Sequence, residues 1–169
     1  DDATGIAYVG SDNGLDQWDR KQETLNHYLE GFIVKYLLKD SQNTLWVGTD
    51  KGLFSAKITS EKLQFKHYTH NPSNPASLCD NSVVHLSEDL AGRIWVSTYG
   101  KGICYLDKQS GKFTSLTKPI ISSNQTRFTI QTRDGKYWAG TGGIDIIDQD
   151  LSKSTPLTSQ KSTESLLHQ

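Results

Sequence analysis

Leu45-Trp46-Val47-Gly48-Thr49 recurs as Ile94-Trp95-Val96-Ser97-Thr98 and as Tyr137-Trp138-Ala139-Gly140-Thr141, with a fainter copy, Ala7-Tyr8-Val9-Gly10-Ser11, near the start. The aromatic anchors at 8, 46, 95 and 138 stand 38, 49 and 43 residues apart. Each copy is apolar, rich in aromatic and β-branched residues, and bounded by turn formers, so each reads as a strand. Self-similarity at about 40–50 residues, built from short strands, points to all-β architecture: the four-stranded antiparallel blades of a β-propeller.

The rest of each unit falls into phase with the anchors. Six residues before the aromatic stand Asp2, Asp40, Asp89 and Thr132; three before it stand Gly5, Asn43, Gly92 and Gly135. This is a D-x-x-G/N turn, in which Gly or Asn takes the left-handed conformation of a tight hairpin. Val34, Val83 and Thr126, twelve residues before the anchor, open a first strand. After the anchor strand comes a second turn: Asp12-Asn13-Gly14, Asp50-Lys51-Gly52, Tyr99-Gly100-Lys101-Gly102, or Gly142-Gly143. A third strand begins at its last glycine. A fourth is expected at Leu25–Tyr28, Leu63–Tyr68, Lys112–Leu116 and, weakly, Ser154–Leu157.

The phase sets approximate blades at 1–31, 32–70, 81–118 and 124–158 within a single propeller segment. The first lacks its opening strand. The tail, 159–169, fits either the first strand of a further blade or a strand returning to complete blade one. Four blades is the bottom of the range for closed rings, so the expectation is an arc of a larger propeller. The chain begins Asp1-Asp2 and contains no methionine, which reads as a processed or excised piece.

Composition limits the function classes. Net charge is −1 over 169 residues, which gives no polybasic footprint for nucleic acid. No apolar run approaches the ~18 residues of a membrane helix. Trp46, Trp95, Trp138 and Tyr8 are read as packing between blades, a large aromatic burying on the order of 200 Å². Cys79 and Cys104 fall in one repeat, before the first strand and on the third. Two ladder spacings, roughly 9–10 Å, exceed the reach of about 7 Å between alpha carbons, so two free, partly buried thiols are expected.

The third copy is the most informative beyond its fold. Glu88-Asp89-Leu90-Ala91-Gly92-Arg93-Ile94-Trp95-Val96-Ser97-Thr98-Tyr99-Gly100-Lys101-Gly102-Ile103, with Leu106-Asp107 and Ser110-Gly111-Lys112-Phe113 after it, resembles the two-component regulator propeller repeat. Upstream, Asn71-Pro72-Ser73-Asn74-Pro75-Ala76-Ser77-Leu78-Cys79-Asp80-Asn81-Ser82-Val83 resembles that family's linker between blades. The chain departs from the pattern at Ser97 (usually Gly), Cys79 (usually Ser), Thr132 (usually Asp) and in a loop one residue short after Thr141. The resemblance implies the periplasmic sensor region of an inner-membrane hybrid two-component histidine kinase/response regulator, of the kind found in Bacteroidetes and responsive to carbohydrate. It also implies partners in further blades and output domains of the same receptor.

No catalytic constellation is present in the sequence: no His-Glu-x-x-His, Gly-x-Ser-x-Gly or P-loop. His67 and His70 read as solvated surface, and neither a metal nor another cofactor is expected. Propeller ligands are held by loops, so candidates come from the second-to-third-strand turns and the linkers. Tyr99, Lys101, Lys51, Asn81 and Arg127 are the expected ligand residues, Tyr99 beside Lys101 suiting a sugar, particularly an acidic one. A protein-interaction propeller is the alternative, with Phe32, Ile120 and Ile121 as exposed apolar candidates. A lyase or lactonase-type enzyme would need His or acidic side chains converging on the channel, where only His85 is expected. Open strand edges leave room for self-association.

Overall fold

In a computed structural model, residues 4–59 and 62–157 are described. They form fifteen strands and no helix. The first sheet has three strands, β1 (Ile6–Ser11), β2 (Gly14–Asp19) and β3 (Thr24–Tyr28). The second has β4 (Val34–Lys39), β5 (Thr44–Thr49), β6 (Gly52–Lys57) and β7 (Lys66–Tyr68). The third has β8 (Val83–Glu88), β9 (Ile94–Thr98), β10 (Ile103–Asp107) and β11 (Lys112–Leu116). The fourth has β12 (Phe128–Gln131), β13 (Tyr137–Gly140), β14 (Ile144–Ile147) and β15 (Ser154–Leu157). Every sheet is an antiparallel meander in sequence order. The tail at 159–169 lies outside the described residues, as does Asp2 of the first turn.

The D-x-x-G/N turn is what the sequence requires: Gly5, Asn43, Gly92 and Gly135 all have positive φ, between 60 and 85°. The opening strands β4, β8 and β12 lie side by side and form one edge shared by the last three sheets. Tyr36, His85 and Phe128, each ten residues before its anchor, make a row across it, with ring centroids 4.5 and 6.4 Å apart.

Three apolar joints weld the sheets. Leu15, Leu45, Val47 and Phe54 fill the first, with Tyr8 and Phe32 packed against them. Trp46 fills the second with Leu53, Val83, Leu86 and Phe113. Trp95 fills the third with Ile103, Tyr137 and Ile147. Trp46 is 3% exposed and Trp95 1%. Trp138 is half-buried on the far face of the fourth sheet and belongs to none of these joints. Gly48 sets how closely two sheets approach, because a Cβ there would come within 2.6 Å of Val83 Cγ1 on the next sheet. At the equivalent place Ser97 is fully buried, and its hydroxyl lies 3.1 Å from that of Thr129. Thr129 is the repeat counterpart of Leu86, which lies 3.7 Å from the same Gly48 position, so an apolar neighbour is replaced by a paired polar one, as a buried hydroxyl requires.

The turn aspartates have a second task. Asp40 Oδ2 accepts the Trp46 indole N–H at 2.9 Å, and Asp89 Oδ2 that of Trp95 at 2.8 Å. Burial pushes both carboxyls up, but the indole, backbone amides and a cation outweigh it and hold both below the usual carboxylate range. For Asp40 the cation is Lys108, which also binds Glu88 and so crosses the second joint. For Asp89 it is Arg93, whose guanidinium also reaches the Tyr137 hydroxyl at 2.6 Å.

The cysteines correct the sequence expectation. Cys79 and Cys104 form a disulfide with alpha carbons 6.0 Å apart. Counting ladder spacings placed Cys79 in the plane of its sheet. The linker instead doubles across the face of the third sheet, where the Phe113 N–H bonds to the Ala76 carbonyl at 3.0 Å and Leu78 and Cys79 are buried beside Cys104.

Candidate ligand-binding face

The second-to-third-strand turns and the linkers meet at one end of the sheets. Gly52 N–H bonds to the Asn81 carbonyl at 2.8 Å, Gly102 N–H to that of Asn124 at 2.8 Å, and Tyr99 N–H to that of Ser82 at 3.1 Å. Loops that differ between repeats are therefore held on a repeated scaffold, which is where a propeller can vary its binding without altering its core.

The five expected ligand residues fall into three situations. Lys51 and Asn81 are engaged internally. Lys51 Nζ donates to the Gly31 carbonyl at 2.8 Å and sits 5.4 Å from the Phe32 ring centroid. Asn81 Oδ1 accepts the His70 N–H at 2.7 Å. Lys101 is exposed and does not border the cavity formed here. Tyr99 and Arg127 do: they line a cavity of about 280 Å³ between the third and fourth sheets, with Ser123, Gln125, Thr126, Thr141 and Gly142. The Tyr99 side chain is free to act as a wall, its residue being 63% exposed.

Gly142, in the short fourth loop, borders the cavity. No atom lies within 4 Å of where a Cβ would stand on Gly142 or Gly143. In the second sheet the corresponding turn carries Lys51, whose side chain folds back onto the linker. Thr126 is spent on the scaffold: its hydroxyl bonds to the Thr98 and Gly102 carbonyls at 3.0 Å each. Thr141 leans on Asp145, whose Oδ2 also accepts the Ser122 N–H and hydroxyl at 2.8 and 2.9 Å. Asp145 is 1% exposed and its other oxygen has no hydrogen-bond partner.

Asp145 was not singled out from sequence, although its signal is visible: an acid inside Ile144-Asp145-Ile146, two residues past the turn glycine. Phe54 and Cys104 hold the same repeat position. All three receive the linker that precedes their sheet. Phe54 does so by an edge contact with Phe32 at 4.9 Å, Cys104 through the disulfide, and Asp145 through Ser122.

Other expectations need correction. His67 is not merely solvated: it stacks on Phe54 at 3.9 Å and its Nε2 faces the Lys51 carbonyl at 3.0 Å. His70 Nδ1 meets the Leu78 carbonyl at 2.8 Å. Phe32 and Ile120 pack against apolar clusters, and Ile121 is fully buried. None of the three offers a docking patch, because the linkers tuck their apolar residues under the sheets. His85 sits between aromatic rings, and burial lowers its pKa. Among the described residues no three His, Cys, Asp or Glu side chains gather as metal ligands would.

A larger cleft, about 520 Å³, opens at the opposite end between the first two sheets. Gln17 is its hub, bonded to Tyr8, Asn26 and Tyr28 at 3.1–3.4 Å. These groups satisfy one another.

Residues 28–51 match the family described as two component regulator propeller. No curated protein matches the chain. Among solved structures, the chain is similar to the extracellular domain of a putative hybrid two component system from B. thetaiotaomicron, with 27% identity and a TM-score of 0.80 over 92% of this chain and 23% of that one. A second such domain from B. thetaiotaomicron shares 22% identity at a TM-score of 0.75, over 93% and 24% of the two chains. A putative gluconolactonase shares the fold alone, at 10% identity and a TM-score of 0.64 over 92% and 60%. The chain spans about a quarter of the length of the two extracellular domains.

Proposed function

We propose that this chain is a periplasmic ligand-sensing segment of a hybrid two-component histidine kinase/response regulator, an arc of a larger propeller that responds to carbohydrate. The observation that carries the reading is the combination of the two component regulator propeller match at 28–51 with similarity along 92% of the chain to an extracellular domain of a hybrid two component system. The Cys79–Cys104 bond supports an oxidising compartment independently of any relative, because structural disulfides rarely persist in the cytosol. The exposed Tyr99 ring beside a cavity lined by amide, hydroxyl and guanidinium groups supports a sugar, whose apolar ring face and hydroxyls need both. Output domains and further blades of the receptor are the partners this reading requires.

Calorimetric titration of the complete extracytoplasmic region with a panel of oligosaccharides, in parallel with a reporter for kinase output, tests it. Binding by one member that also raises output is expected. Output that responds to a peptide or to a second protein while every oligosaccharide stays silent would overturn the carbohydrate reading in favour of a protein-interaction propeller.

A further inference from the structure

We infer that the Tyr99–Arg127 cavity selects a carboxylate-bearing sugar, a uronic acid or a short oligosaccharide ending in one. The inference rests on the carbohydrate reading above and adds charge to it.

Four observations lead there. First, the cavity is lined by one charged side chain, and it is a cation: Arg127 borders it and no Asp or Glu does. Second, Arg127 is uncommitted. Its backbone N–H is fixed to the Gly140 carbonyl at 2.8 Å, so the residue is anchored. Its guanidinium has no hydrogen-bond or ion-pair partner among the described residues, whereas Arg93 is bound to Asp89 and stacked 4.6 Å over Tyr105. Five N–H donors in a planar fork match a carboxylate in two-point contact.

Third, Asp145 stands behind the cavity wall rather than in it. Asp145 does not border the cavity, and its Oδ2 is turned to Ser122 and Thr141. Its Oδ2 takes the Thr141 hydroxyl proton, which leaves Arg127 as the charged donor for the ligand's anion. Fourth, the remaining free groups are the exposed Tyr99 ring and the Gln125 side chain, a flat apolar wall and an amide. A sugar ring has an apolar face for the first and hydroxyls for the second. A volume of about 280 Å³ holds one such ring with its carboxylate, and the Gly142-Gly143 turn leaves an open side through which a chain would continue.

Paired probes that differ only in charge test the inference: galacturonic acid against galactose, and glucuronic acid against glucose. Each is titrated into the whole chain by NMR, with Arg127→Gln, Arg127→Lys and Lys101→Gln variants alongside. The acids are expected to bind about tenfold or more tightly than their neutral twins, the scale of a charge-assisted two-point contact. Arg127→Gln should abolish that preference while leaving the melting temperature unchanged, because the side chain supports no other contact. Arg127→Lys should restore part of it, and Lys101→Gln should leave it intact. Equal affinity for acid and neutral twin, or a preference that survives Arg127→Gln, overturns the charge selection and spares the sugar site. Failure of all four sugars to shift resonances of Tyr99 and Gln125 overturns the sugar site itself.

Discussion

The alpha carbons of Cys79 and Cys104 stand 6.0 Å apart, bridged by a disulfide that ties the second linker to the third strand of the third sheet. Phe32 against Phe54, and Ser122 against Asp145, join a linker to a sheet at the same repeat position. One architectural joint is thus closed by an aromatic contact, a covalent bond and a set of hydrogen bonds in turn.

Replacing both cysteines by serine should cost about 3 kcal/mol, the scale expected when a loop of this length loses its crosslink. The sequence separation is 25 residues. Urea denaturation of the oxidised protein and of the double variant measures the difference. Thiol titration without reductant should find no free cysteine.

Asp89 is the keystone of the third joint. Its Oδ2 takes the Trp95 indole and Arg93 Nε, and lies 3.2 Å from the Tyr137 hydroxyl. Asp89→Ala should destabilise by about 3–5 kcal/mol, because it strands a partly buried guanidinium as well as an indole N–H. Asp40, Glu88 and Asp89 all have lowered pKa values. Their contribution is therefore complete above their ordinary values, 3.8 for the aspartates and 4.5 for the glutamate. It is lost as pH falls below those values through the folded ones. Thermal melts in an acid series should show this loss, and Lys108→Met should blunt the Asp40 and Glu88 part of it.

At Gly48 the space for a side chain is already taken by Val83. Gly48→Ala should cost about 1–3 kcal/mol through overpacking of the second joint. Ser97→Val should cost a similar amount for another reason, stranding the buried Thr129 hydroxyl that now faces Ser97 at 3.1 Å. A double variant, Ser97→Val with Thr129→Val, should recover part of that loss, and a double-mutant cycle by denaturant unfolding isolates the pair.

His85 supplies a pH signature at a different place. Its folded pKa lies below the ordinary 6.5 because burial disfavours the imidazolium. Its contribution is full above 6.5 and is lost as pH falls through the lowered folded value. His27, exposed and paired with Asp16 at 2.7 Å, shifts upward and has the opposite sense. His85→Phe, which extends the row from Tyr36 to Phe128, should flatten the decline in melting temperature between about pH 6.5 and 5. His27→Gln should not flatten it.

Strand order and phase are legible in the residues alone. The repeated anchors, the D-x-x-G/N turns and the β-branched openings are local signals, and a hairpin meander is built from neighbours in the chain. They are legible because each anchor strand's apolar run and the left-handed residue of its D-x-x-G/N turn lie within about ten residues of one another. The packing of the sheets sets which loop residues share a site. Lys101 lies two residues from Tyr99 in sequence yet outside the cavity, and Arg127 lies twenty-eight residues away yet lines it. It likewise decided that Cys79 reaches Cys104, since a linker without strand periodicity gives no register by which to follow it across a sheet. Contacts between a linker and the face it crosses depend on where whole sheets sit, and a one-dimensional pattern does not carry that distance.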